Sequence, residues 1–204
     1  KLNKLDKKLE IIIIDDGSSD ETADILHNQK TIKVLRSEIN QGKGKSIRNG
    51  IKIACNKNII LIDGDLEIDI DQIPNLINTY EHKGFKVLSG KRWNKSEKFE
   101  FDIYRIGNFF INGLFNILFN TNFNDILCCV KIIDKELINS LYLISNGFDI
   151  EIEIMSKLIT KRVKTYEVPV SYLRRNSKQG KKLNILDGWK IIKLIFLQKI
   201  KTLF

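Results

Sequence analysis

Proline occurs only twice in the 204 residues, tryptophan and histidine twice each, cysteine three times and methionine once. With so few prolines, no low-complexity run and 43% hydrophobic residues, an extended or disordered chain is excluded, and a single folded domain has enough apolar material for its core. Cys55, Cys128 and Cys129 make an odd count without metal-ligand spacing. That excludes a disulfide framework or zinc module and fits free thiols in a reducing, cytoplasmic setting. No signal-peptide pattern opens the sequence. Acid is also in short supply, with 25 acidic against 34 basic side chains and a net charge of +9. Such a balance calls for an anionic partner, either phosphate or an acidic membrane surface. The basic residues form no helix-turn-helix, zinc-finger or RNA-binding signature, so nucleic acid is not expected.

What the sequence has is an alternation of apolar runs and amphipathic stretches. Residues 10–14 predict a strand buried on both faces, followed by a helix capped by Asp20. Further strands are expected at 32–36, 58–65, 86–90, 126–133 and 162–172. Helices are expected after the "GKGKS" loop, at Pro74–His82, and over 100–119, 134–143, 149–160 and from about Asn184. This alternation implies an α/β fold with a mostly parallel, doubly wound sheet, whose ligand crevice lies at the carboxyl ends of the strands. Two strands end there in acid: "IIIIDDG" in Asp15 and Asp16, and "ILIDGD" in Asp63 and Asp65. Carboxylates converging on one crevice repel each other unless a cation sits between them.

The turn Asp63-Gly64-Asp65 suits a hard cation such as Mg²⁺ or Mn²⁺, although on its own it reads equally as a solvated turn. "NQGKGKS" (40–46) fails as a P-loop, because Ile39 stands where the first glycine belongs. It fails the dinucleotide fingerprint as well, because Ile47 stands where the third glycine belongs. A glycine–lysine loop opening a helix still suits phosphate, or is an ordinary turn.

Together and in order, "IIIIDDGSSDET", "NQGKGKSIRNGIKIA" and "ILIDGDLEID" resemble the family 2 glycosyltransferases of GT-A fold. "LSGKRW", "NDILCCVKII", "GFDIEIEI" and "VPVSYLRRNSKQGKKLNILDGW" resemble the polyprenyl-phosphate glucose and mannose synthase branch. The resemblance spans roughly residues 9–190. It implies a nucleotide-sugar donor, a divalent metal (Mg²⁺ or Mn²⁺) and inverting displacement by a polyprenyl-phosphate acceptor.

By position, the resemblance implies that Asp16 binds the base, Asp15 supports that loop and Asp63 contacts the ribose. Lys43 and Gly64 belong to the same nucleotide-sugar set. Asp65 and Glu67 would hold the metal, and Arg92 and Arg105 would contact phosphate. Arg175 and Lys182, in a basic loop with Arg174 and Lys181, would receive the acceptor or the leaving diphosphate. The catalytic set implied is therefore Asp65, Arg92, Arg175 and Lys182. A hydroxyl acceptor would need a base, for which Asp125, Asp149 and Glu151 are the candidates. Two departures stand out. The strand that opens such domains is absent before residue 9, which predicts a missing wall of the base pocket and leaves a non-catalytic nucleotide-sugar-binding remnant as a rival. Cys129 and Val130 replace a common Gly-Phe.

Residues 106–124 carry no charge, and Asn108, Asn112, Asn116 and Asn120 recur every fourth position opposite Phe109, Phe110, Leu114, Ile117 and Leu118. That pattern predicts a helix lying at a membrane interface or packed on the core. The expected division is a glycosyltransferase domain over 1–183 and a basic amphipathic helix over 184–204. In that helix Ile185, Trp189, Ile192, Phe196 and Leu203 share a side, interleaved with lysines suited to an anionic membrane face or to ordinary packing.

Overall fold

A computed structural model of the chain describes residues 9–27, 32–92, 103–173 and 185–202. Strand β1 (Ile12–Asp16) leads through α1 (Thr22–His27) to β2 (Lys33–Ser37), α2 (Lys43–Ile53) and β3 (Asn58–Leu61). After a short 3₁₀ turn come α3 (Ile73–Lys83), β4 (Val87–Lys91), α4 (Ile103–Phe119), β5 (Lys131–Asp134) and α5 (Lys135–Asn139). Helix α6 (Ile150–Thr160), β6 (Tyr166–Pro169) and α7 (Ile185–Lys201) complete the order.

The strands form two sheets among the described residues. One is the parallel pair β1–β2, and the other has four strands in the order β3-β5-β4-β6. β4 and β6 are parallel, whereas β5 runs antiparallel to both β3 and β4. Helix α4 is about 25 Å long at 1.5 Å per residue. Residues 120–130, which have no helix or strand of their own, separate α4 from the antiparallel β5.

The strand buried on both faces is β5 with its neighbour β4, not β1. Val87, Leu88, Ile132 and Ile133 are at most 2% exposed. Ile12, Ile13 and Ile14 are only half-buried. Their one ladder partner, β2, itself lies at the surface, and β1 makes no ladder with β3. The main core joins β3 and β5 to Ile111, Phe115 and Phe119 of α4, Ile150, Ile152, Ile154 and Leu158 of α6, and Ile191 and Ile195 of α7. A side chain such as Phe115, fully buried, contributes about 1.5–3 kcal/mol relative to exposure.

Helix α4 splits the apolar side expected from its sequence: Leu114 and Leu118 pack against the core, whereas Phe109, Phe110 and Ile117 do not. Asn112 and Asn116 turn inward and tie down the returning segment, each donating Nδ2 to the Phe123 carbonyl at 2.7 and 2.8 Å. Their carbonyl oxygens accept from Ile126 N, Phe123 N and Thr121 Oγ1. Ile106, Phe109, Phe110 and Ile117 face out, the last of them 80% exposed. Helix α7 behaves similarly. Ile191 and Ile195 pack inward, while Trp189, Phe196, Leu197 and Ile200 lie at the surface. No helix among the described residues is long and apolar enough to cross a membrane.

Candidate active site

The two acidic turns are built differently. After β1, Asp15 is 4% exposed and accepts the Ser18 amide at 2.9 Å, with Arg36 Nε 3.4 Å from its other oxygen. Asp16 takes the amides of Gln41 and Gly42, both at 2.8 Å, and so ties the end of β1 to the start of α2. The glycines of that loop serve close packing. Gly42 has φ 96°, and a Cβ there would lie 2.4 Å from the Asn146 carbonyl oxygen; at Gly44 it would lie 2.3 Å from that of Ser145. The segment at 145–147 can approach only because no side chain intervenes. The Asn146 carbonyl accepts the amides of Gly44 and Lys45, so these two N–H groups opening α2 are occupied by the protein itself rather than presented as a phosphate cradle.

The backbone tied by Asp16 delivers Lys43 to the second turn. Its ammonium lies 2.9 Å from Asp63 Oδ2 and 2.9 Å from Glu151 Oε1, and 5.9 Å from the centroid of the Phe148 ring. Glu151 Oε2 in turn meets Lys131, whose side chain is wholly buried in β5 and also donates to the Cys128 carbonyl. Burial works against charge on Lys43 and Glu151, and their pairing outweighs it. Glu151 and Asp63 hold the Lys43 ammonium well above the ordinary lysine range, and Lys131 and Lys43 hold the Glu151 carboxyl below the carboxylate range.

Asp63, about one-third exposed, Gly64, Asp65 and Glu67 follow the end of β3. Asp65 Oδ1 accepts the Glu67 amide at 3.0 Å, and Leu66 between them adopts φ 61° and stands 65% exposed. A leucine in the left-handed region costs of order 1 kcal/mol, a strain found where function fixes the backbone. Glu67 accepts the Tyr172 hydroxyl at 3.0 Å. Burial and the Glu67 and Asp65 carboxylates raise that hydroxyl's pKa, outweighing Arg92 nearby, so it remains a donor.

Arg92 forms a two-pronged pair with the buried Asp125, Nε and Nη2 donating at 2.8 and 2.9 Å, and its guanidinium lies 5.4 Å from the Tyr172 ring centroid. Burial opposes its charge, but Asp125 dominates and keeps it protonated. Arg105 stands in the first turn of α4. Arg174, Arg175, Lys181 and Lys182 lie outside the described residues.

The three candidate bases are engaged in the structure. Asp125 pairs with Arg92, Glu151 with two lysines, and Asp149 accepts the Gly147 amide beside α6. Sequence reasoning missed Lys131 and Tyr172. Lys131 had a signal, since a lysine within "CCVKIID" needs a buried partner. Tyr172 had none.

Two strands, one from each sheet, thus end in acidic turns that Lys43 and the start of α2 bring together. A model of glycosyl transferase family 2 covers residues 2–141, and the chain belongs to that family. It is a glycosyltransferase of GT-A fold. It is 30% identical to an uncharacterized protein of Methanocaldococcus jannaschii, over 97% of this chain and 93% of that one. It is 25% identical to the undecaprenyl-phosphate 4-deoxy-4-formamido-L-arabinose transferase of Edwardsiella ictaluri, over 88% of this chain but only 54% of that protein. Its fold matches the crystal structure of Mycobacterium tuberculosis glucosyl-3-phosphoglycerate synthase in complex with Mn²⁺, uridine diphosphate and phosphoglyceric acid. There the TM-score is 0.71 at 16% identity, over 93% of this chain and 67% of that one.

Proposed function

We propose that this chain transfers a hexose from a nucleotide sugar to a polyprenyl phosphate, with inversion, at the cytosolic face of a membrane. The observation that carries the reading is the turn after β3, where Asp65 and Glu67 flank a strained leucine beside the Lys43–Asp63 ion pair. Two carboxylates on one turn fit a hard divalent ion, Mg²⁺ or Mn²⁺, that completes its shell with water and diphosphate oxygens. Among the described residues no group of three or more acidic, histidine or cysteine side chains could hold a metal ion, so this ion would rest on two carboxylates. Bound there, the metal would supply positive charge to offset the departing diphosphate.

The chain's own residues do the rest. Asp63 receives the ribose, with its carboxylate steadied by Lys43. Asp16 and Asp15 shape the loop beside the base. Arg105, Arg175 and Lys182 supply positive charge for the acceptor and the leaving group, and Arg92 does so from a guanidinium braced by Asp125. A lipid phosphate is already an anionic nucleophile and needs no base. The engagement of Asp125 and Glu151 in buried ion pairs therefore supports this acceptor over a saccharide hydroxyl. Likeness to an undecaprenyl-phosphate sugar transferase supports it too.

The test offers radiolabelled donor to the protein with polyprenyl phosphate and soluble saccharides together, with and without a chelator. Chelator-sensitive labelling of the lipid is expected. Labelling of saccharides alone would overturn the acceptor assignment, and transfer that ignores chelator would overturn the metal.

A further inference from the structure

The segment just before the basic loop is laced to the metal-holding turn. Ile68 and Tyr172 form an antiparallel bridge, the Leu173 amide donates to the Glu67 carbonyl at 2.7 Å, and the Asp69 amide donates to that of Ser171 at 3.3 Å. Gln72 clamps Ser171 from the far side, accepting its amide at 2.9 Å and donating to its carbonyl at 3.2 Å. Backbone thus fixes where Tyr172 stands, and its hydroxyl reaches one oxygen of Glu67 at 3.0 Å. The ring is held from its other side by Arg92, itself locked on buried Asp125. The result is a continuous brace of Asp125, Arg92, Tyr172 and Glu67, anchored in the core at one end.

We propose that Tyr172 is a positioning residue: its hydroxyl fixes the rotamer of Glu67 and with it the orientation of the carboxylate that would hold the metal. Carboxylate ligands are commonly oriented by such outer partners, whose loss lowers metal affinity about 10–100-fold. The brace also joins the metal turn to the residues leading into Arg174 and Arg175. This inference rests on the metal assignment made above.

Mn²⁺ binding is measured by electron paramagnetic resonance, with UDP and GDP each offered as the nucleotide, on the wild-type chain and on Tyr172→Phe. Tyr172→Phe should weaken Mn²⁺ about tenfold while nucleotide binding in chelator stays the same. In a Glu67→Ala background the same substitution should have no further effect, because Tyr172 acts through Glu67; a merely structural tyrosine would still cost affinity there. Unchanged Mn²⁺ affinity in Tyr172→Phe, or an undiminished loss in the Glu67→Ala background, overturns the proposal. Wild-type protein that binds no Mn²⁺ with either nucleotide overturns the metal assignment and this inference with it, which separates the two failures.

Discussion

The turns after β1 and β3 look alike in sequence and differ in what they do with their carboxylates. Asp15 and Asp16 turn into the protein and accept the amides of Ser18, Gln41 and Gly42. Asp63, Asp65 and Glu67 sit on a turn that carries an exposed leucine with positive φ, and Asp63 remains about one-third open. The first turn ties the end of β1 to the start of α2; in the second, Gly64 and Leu66 are exposed while half-buried Asp63, Asp65 and Glu67 meet Lys43, the Glu67 amide and the Tyr172 hydroxyl. Two acidic strand ends can therefore read alike in sequence while their carboxylates hold different parts of the protein. Lys43 links the two, since the backbone that Asp16 holds brings its ammonium to Asp63.

The strongest way to break that link is at Glu151, the buried partner Lys43 shares with Lys131. Glu151→Gln removes the charge between two buried ammonium groups. Breaking a buried pair in this way costs about 3–5 kcal/mol, to be read from urea unfolding. The double change Glu151→Leu with Lys131→Met should recover most of that loss, because Lys43 still has Asp63 and no charge is left stranded in β5. A double variant as unstable as the single one would show that the network is more than a charge balance.

The contrast between the turns predicts a crossed pair of outcomes. Asp65→Ala should lose roughly 100-fold or more in metal-dependent nucleotide binding, at or beyond the upper end for outer partners of a metal. Its stability should stay within about 0.5 kcal/mol of wild type. Asp16→Ala should do the reverse in stability, losing about 1–2 kcal/mol with its two amide contacts at the start of α2. Titration calorimetry with and without chelator, beside thermal melts of both variants, reads the two axes. Equal melting temperatures for Asp16→Ala and wild type would remove the scaffolding role.

Much of this contrast is legible in the residues alone. The order of β1 to β4, the helices between them and the Asp63–Glu67 turn follow from local apolar runs, and the order and spacing of the motifs point to the family. The direction of Asp16 is not legible, because its partners lie 25 and 26 residues away. The brace from Tyr172 to Glu67 spans 105 residues and has no local pattern. The capture of the Phe123 carbonyl by Asn112 and Asn116, eleven and seven residues away, has no local pattern either. Residue type gives the period of a helix, whereas long-range contacts decide which of its faces is inside.

Helix α4 carries that lesson to the smallest stability effect and the last test. Asn112 and Asn116 turn inward beside buried Ile111, Phe115 and Phe119, and Ile106, Phe109, Phe110 and Ile117 form the outward face at i, i+3, i+4 and i+11, close to one line on a 3.6-residue repeat. Changing Phe109 and Ile117 to serine removes no buried contact of consequence, so unfolding should shift by less than about 0.5 kcal/mol. If this face meets a bilayer, as the polyprenyl-phosphate reading requires of some surface, the same variant should sediment less with vesicles containing anionic lipid. Its residual binding should fall further as salt screens the lysines of α7. Trp189→Ser, exposed on α7, should act in the same direction. Vesicle binding unaffected by all three substitutions would free both helices from the membrane and require the lipid acceptor to be reached by another surface. Stability lost in Phe109→Ser would mean instead that this apolar stripe is covered in solution, and that outward-facing residues here are as structural as the inward asparagines.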